Sequence, residues 1–156
     1  MEPKTRNKRA AIAAAAALFA APMEGLRQYA YYDPPGILTV CYGHTGSVVK
    51  GKKYSVDECK ALLAQDMMHA VDMVDRCVPG LPDPMHMAWA DAVYNIGPKI
   101  VCDPKASTAA RLLQAGKLEE ACHQLPKWDK ARVGGVLVAL PGLTKRRQAE
   151  KDLCLS

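Results

Sequence analysis

Ser55-Val56-Asp57-Glu58 opens the stretch that most restricts what this chain can become. A serine followed three residues later by a glutamate is a capping box: each side chain satisfies a backbone N–H of the other. Behind it, apolar residues fall at 59, 62, 63, 67, 70, 71 and 74, the three-to-four spacing of a helix with one buried face. Pro79-Gly80 ends the pattern. A helix of about twenty residues spans roughly 30 Å. That is long for a small domain and predicts a connector between two lobes.

The flanking chain divides accordingly. Residues 23–32 read as the continuation of a helix from the apolar run before them, broken by the turn chemistry of Asp33-Pro34-Pro35-Gly36. The β-branched and aromatic residues 37–42 read as a strand, Gly43 to Gly46 as a turn, and 47–49 as a returning strand. Lys50 to Lys53 is a basic loop. After the long helix, a second helix opens at Asp83-Pro84, cap then proline, and stops at Gly97-Pro98. Shorter helices are expected near 107–115 and 117–124. Gly134-Gly135 and Pro141-Gly142 bracket a short apolar stretch. A last helix, 143–154, carries Lys145, Arg146 and Arg147 on a solvated face. The expected class is α+β: a small N-terminal lobe with a short sheet, a long connecting helix, and a helical C-terminal lobe.

The chain has 156 residues, enough for one domain with a real core. Of the net charge of +5, the first nine residues contribute +3 (Lys4, Arg6, Lys8 and Arg9 against Glu2), leaving +2 for the rest. A nucleic-acid binder needs a basic stripe on its folded domain, so that class is not expected. The basic start is followed by an apolar, almost pure alanine run at 10–22. This is the pattern of a bacterial export signal. Thirteen helical residues cover roughly 20 Å, short of the ~30 Å hydrocarbon core, so the run would hold a membrane weakly. Residues 1–22 are therefore read as an export signal or weak membrane anchor, and 23–156 as the working domain. A cleaved signal peptide, an uncleaved anchor and a cytosolic alanine-rich helix all remain open. A cut after Ala20 would start the mature chain almost on Glu24.

Cys41, Cys59, Cys77, Cys102, Cys122 and Cys154 form an even set, which in an exported chain reads as three disulfides with fifteen possible pairings. Cys41 and His44 are spaced like zinc ligands, but no second close pair follows, so no metal and no cofactor is expected. Trp89 and Trp128 are read as core. His69, His86 and His123 fall into no constellation.

Glu24 follows an apolar stretch, a setting suited to a proton donor, and Asp33 sits in a polar turn suited to an ionised partner. Thr39 offers a hydroxyl that can hold a water beside Asp33. An acid for the leaving oxygen and a base-positioned water are the equipment of glycoside hydrolysis. By spacing alone such a pair is more often two solvated surface charges.

The run Glu24-Gly25-Leu26-Arg27, then Tyr31, Asp33, Gly36, Thr39 and Gly43-His44-Thr45, resembles the active-site segment of phage-type lysozymes, glycoside hydrolase family 24. The likeness continues through the capping-box helix, the AVYNIG segment at 92–97 and GLTKRRQAE at 142–150, covering nearly everything from Glu24 onward. It implies a lysozyme-like α+β fold. It also implies a muramidase that cuts β-1,4 bonds between N-acetylmuramic acid and N-acetylglucosamine in peptidoglycan. Glu24 would then be the general acid, Asp33 the second carboxylate and Thr39 its water-holding partner. The family is usually described as inverting, with Asp33 acting on water. Tyr94 and Asn95 fall at cleft-lining positions of the family, with core packing the competing role for Tyr94; His44 is read as contacting sugar or ordering the cleft near Glu24, with a structural hydrogen bond as its competing role. Arg27 would pair with a carboxylate, with a plain surface arginine as the alternative. Where the family has glycine, this chain has Cys41, as in the disulfide-bearing exported members. Family pattern and helix layout imply the pairs Cys41–Cys59, Cys77–Cys102 and Cys122–Cys154.

An exported apolar N-terminus on this domain resembles the signal-arrest-release endolysins of tailed phages, exported by the host machinery, tethered to the inner membrane, then released. The implied partners are peptidoglycan, the inner membrane through residues 10–22 and the host export machinery, with the enzyme a monomer in the host periplasm. Some relatives carry a thiol in the anchor that reshuffles disulfides; this anchor has none. The rival readings are a catalytically inactive lysozyme-like cell-wall-binding protein, disfavoured by intact Glu24, Asp33 and Thr39, and a cationic membrane-disrupting protein acting through residues 1–22.

Overall fold

A computed structural model describes residues 3–156, an α+β chain of helices and short antiparallel strands. It divides into two compact units, one ending at His69 and one running from Ala70 to Ser156.

The first unit begins with α1, Pro3–Glu24. Ile12, Ala13, Ala16, Ala17 and Ala20 are buried, at helical spacing, so the alanine run has one inward face. Leu18, on the other face, is 73% exposed. The helix does not continue through residue 32. Gly25 follows Glu24 at φ +72°, a left-handed conformation that glycine adopts cheaply and that stops a helix. Beyond it, Arg27–Tyr32 forms β1, where three tyrosines favour a pleated, half-exposed surface.

β1 pairs antiparallel with β2, Leu38–Cys41, and β2 with β3, His44–Thr45. The tight turn between β1 and β2 is Asp33 to Gly36, with Gly36 N donating to Asp33 O at 2.8 Å. The third strand thus lies at 44–45, inside the expected turn, and not at 47–49. Gly46 and Ser47 both take left-handed φ values, +83° and +52°, which ends the pairing there. The helix α2, Val56–Cys77, opens on a complete capping box: Glu58 N donates to Ser55 Oγ at 3.0 Å and Ser55 N to Glu58 Oε1 at 3.3 Å. The Cys41–Cys59 disulfide ties β2 to its first turn.

The second unit contains α3 (Asp83–Ile96), α4 (Lys99–Cys102), α5 (Thr108–Gln114), α6 (Leu118–Cys122), a 3-10 turn at Leu125–Trp128, and α7 (Pro141–Cys154). Asp83 is the first helical residue of α3, not its cap; Pro82 holds that position without a side-chain bond. Trp89, Ile100, Val101, Leu113 and Leu125 form the core, and α3 packs along α7. Disulfides Cys77–Cys102 and Cys122–Cys154 close the unit. The apolar stretch after Gly134-Gly135 is half of a hairpin, β4 (Lys130–Val133) with β5 (Val136–Ala139). Both turn glycines have positive φ, as a two-residue primed turn requires.

The face of α7 read as solvated is not. Arg146 and Arg147 are buried, with Glu150 and Cys154 one and two turns on. Residues at these spacings share a helix face, and here that face is the inward one.

Candidate active site

Glu24 is the last residue of α1 and is half-buried. The Gly25 break turns the chain directly from this carboxylate into β1. Asp33, also half-buried, stands where β1 ends. Its Oδ1 accepts the backbone N–H of Ile37 at 2.7 Å, and its own N–H donates to Ile37 O at 3.0 Å. Thr39 is 3% exposed, and its Oγ1 donates to the same Ile37 O at 2.9 Å. Asp33 and Thr39 are therefore both tied to Ile37, one through its N–H and one through its carbonyl. Thr39 has used its only proton inward, so any further contact of its hydroxyl must be as an acceptor. Asp33 keeps Oδ2 as a second acceptor.

The strand register sorts the neighbours. Opposed residues share a face and successive residues alternate. Tyr31, Thr39 and Thr45 are aligned across the three strands and lie on one face. Val40 and His44 are aligned on the other. His44 accordingly does not share a face with Thr39. Its Nδ1 lies 2.7 Å from Asp66 Oδ2 on α2. Asp66 escaped the sequence reading because nothing in a single helical carboxylate announces a partner 22 residues earlier. His44 and Asp66 also border a pocket of about 400 Å³ with Ser47, Tyr54, Gln65 and His69; Glu24 and Asp33 are not among its walls. Arg27 stacks over the Tyr31 ring at 4.3 Å.

Tyr94 and Asn95 lie in the last turn of α3, both half-buried. Asn95 Oδ1 accepts from Arg147 Nη2 at 2.7 Å. The same Nη2 donates to Glu150 Oε1 at 2.7 Å. Arg146 grips Asp91 with two bonds, Nε to Oδ2 at 2.9 Å and Nη2 to Oδ1 at 2.8 Å. Burial alone would raise the Asp91 carboxyl, but bonds from Arg146 and Glu150 and both guanidinium charges hold it below the usual range. Burial, reinforced by the bond to Asp91, pushes Glu150 up to about 10 against the pull of Arg147 and Arg146. Glu150 is therefore neutral at physiological pH. This cluster was not anticipated; the usable signal was Arg146, Arg147, Glu150 and Cys154 on one helix face, ending in a cysteine.

Among the described residues, no group of three or more His, Cys, Asp or Glu could hold a metal ion. The first unit offers the Glu24 and Asp33 carboxylates and the Thr39 hydroxyl oxygen as an acceptor.

The first unit thus sets one carboxylate, Glu24, at a helix end and a second, Asp33, in the following hairpin turn. Residues 21–150 match the family model for phage lysozyme. A SAR-endolysin of bacteriophage PS119 is 36% identical, with 99% of this chain and 96% of that protein aligned. Among solved structures, the muramidase domain of SpmX from Asticaccaulis excentricus superposes with a TM-score of 0.82 at 30% identity, covering 91% of this chain and 95% of that one. The active form of the P1 phage endolysin Lyz gives 0.75 at 26% identity, covering 90% and 83%. This chain belongs to the phage lysozyme family.

Proposed function

We propose that Glu24 protonates the departing glycosidic oxygen while Asp33 and Thr39 hold the attacking water. The enzyme itself is a peptidoglycan-hydrolysing endolysin, a muramidase. The observation that carries the assignment of roles is the shared tether to Ile37. Asp33 Oδ1 and the Thr39 proton are both committed to Ile37, which leaves Asp33 Oδ2 and the Thr39 oxygen for the water. A water that gives one hydrogen to each has its lone pair left for the anomeric carbon, and as the new C–O bond forms its proton passes to Asp33. Such a water displaces the leaving group from the opposite side, the inverting course, which needs carboxyls about 6.5–9.5 Å apart. The scissile bond is the β-1,4 link between N-acetylmuramic acid and N-acetylglucosamine. Tyr94 and Asn95 contact the glycan; the Asp66 bond favours a structural role for His44.

Residues 1–22 serve twice in this reading. They first direct export and tether the chain to the inner membrane, keeping it inactive, and the released helix then docks as α1, which ends in Glu24. The SAR-endolysin relatives and the buried alanine face of α1 support it. Among the described residues, no helix is long and apolar enough to cross a membrane. The enzyme acts as a monomer in the host periplasm.

The test is release of reducing ends from purified peptidoglycan by wild type, Glu24→Gln and a form beginning at residue 24. Both altered forms should lose turnover, Glu24→Gln by roughly 10²–10⁴-fold. Lysis that survives Glu24→Gln would point to the cationic, membrane-disrupting alternative. Full activity of the form without α1 would overturn the two-stage reading.

A further inference from the structure

Two adjacent arginines on α7 are buried for different reasons. Arg146 has a complete explanation in its double bond to ionised Asp91. Arg147 does not. It is fully buried, ionised Asp91 acts on it only as a nearby charge, its hydrogen-bonded carboxylate neighbour Glu150 is neutral, and its Nε and Nη1 meet no protein acceptor among the described residues. Burying a guanidinium without a full counter-charge is unfavourable. Besides Glu150, what it holds is the half-buried amide of Asn95.

That bond has a consequence for polarity. Arginine has only N–H donors, so Asn95 can meet it only through Oδ1. The amide cannot be flipped without setting donor against donor. With the oxygen held inward, the Nδ2 hydrogens are the part of Asn95 left for a ligand.

We propose that Arg147 is a positioning residue acting through Asn95, fixing it as a hydrogen-bond donor that takes a carbonyl oxygen of the glycan substrate. The inference rests on the muramidase reading and on Asn95 as a glycan contact. Two carbonyl sources occur in peptidoglycan: the acetamido groups of its sugars and the amide carbonyls of its stem peptides. A hydroxyl can also accept, but it can equally donate, so an amide locked as donor discriminates best for a group that only accepts.

Asn95→Asp separates position from fold. It keeps an oxygen for Arg147, and gains an ion pair, while replacing the outward donor with a carboxylate oxygen. Expected are a KM on native peptidoglycan raised at least tenfold, kcat within threefold of wild type and an undiminished Tm. Arg147→Met should raise KM similarly in the wild-type background and not at all in Asn95→Ala, a non-additivity that a merely structural arginine would not produce. If Arg147→Met does not fold, the Asn95 variants still decide. De-N-acetylated peptidoglycan and glycan stripped of stem peptides locate the acceptor: the wild-type advantage on native over modified substrate should vanish in Asn95→Asp for one of them. An unchanged KM in Asn95→Asp, or an advantage that persists against both, would overturn the proposal. Wild-type turnover of native peptidoglycan, measured alongside, reports separately on the muramidase reading.

Discussion

The two units place their charges in opposite settings. In the unit ending at His69, Glu24 and Asp33 stay half-exposed, and Asp33 is oriented by the backbone of Ile37. In the unit from Ala70, Asp91, Arg146, Arg147 and Glu150 are withdrawn from water and lean on one another. A group that must exchange a proton with substrate needs access, and backbone bonds aim it without neutralising it. A group that fixes one helix against another gains from burial, provided its partners are present. Under the proposed mechanism one unit keeps charge available for chemistry, while the other converts it into shape.

The largest test of that contrast exchanges two aspartates. Asp91→Ala should destabilise by about 3–5 kcal/mol, because it strands Arg146 in the interior. Asp33→Ala should lower kcat roughly 10²–10⁴-fold while unfolding within about 1 kcal/mol of wild type, the size of one lost hydrogen bond. Urea unfolding and turnover on the same preparations check both. Equal stability losses would break the distinction.

Removing Cys41 and Cys59 together, as serines, should cost about 2–5 kcal/mol in thermal or urea unfolding. The bridge joins β2 to α2, so the hairpin that carries Asp33 should loosen first, detectable as faster amide exchange at Ile37 than at Trp89.

Glu150→Gln sharpens the contrast through pH. The folded pKa lies near 10, above the ordinary carboxylate value of 4.5. An acid whose folded pKa is raised favours the folded state below about pH 4.5 and loses that contribution as pH rises towards 10. The glutamine variant lacks this loss. Its stability relative to wild type should therefore climb between pH 5 and 9, at up to roughly 1.4 kcal/mol per pH unit. Parallel Tm curves for the two proteins would contradict a neutral, buried Glu150.

The smallest effect belongs to the exposed end of α2. Ser55→Ala should cost about 1 kcal/mol in thermal unfolding. Kinetic constants should not move, since Ser55 and Glu58 bond one another, and Glu58 bonds Lys52.

Much of this was legible in the residues. The Ser55–Glu58 box and the apolar spacing behind it mark α2 because cap and periodicity are local signals. The cysteine pairs implied by family resemblance are present in the structure; composition alone left fifteen pairings. What failed depended on distant partners. Ala30 and Tyr31 fit a helix as well as a strand, and the Gly25 break together with pairing to β2 decides for the strand. Lys145, Arg146 and Arg147 look like a solvated run until Asp91 and Asn95, on another helix, take Arg146 and Arg147 inward. The Ile37 tether is invisible for a similar reason: backbone groups carry no side-chain signature.

Placing Glu24 at the terminus of α1 ties an equilibrium to a count of competent molecules. The inward face of that helix is mostly alanine, which contributes little area per residue, so under the two-stage reading its docking free energy is small and tunable. Each change of 1.4 kcal/mol in docking shifts the undocked-to-docked ratio tenfold. Under the two-stage reading, a methyl group added or removed along residues 12–20 acts as a rheostat on the number of working enzymes, leaving the rate of each one untouched.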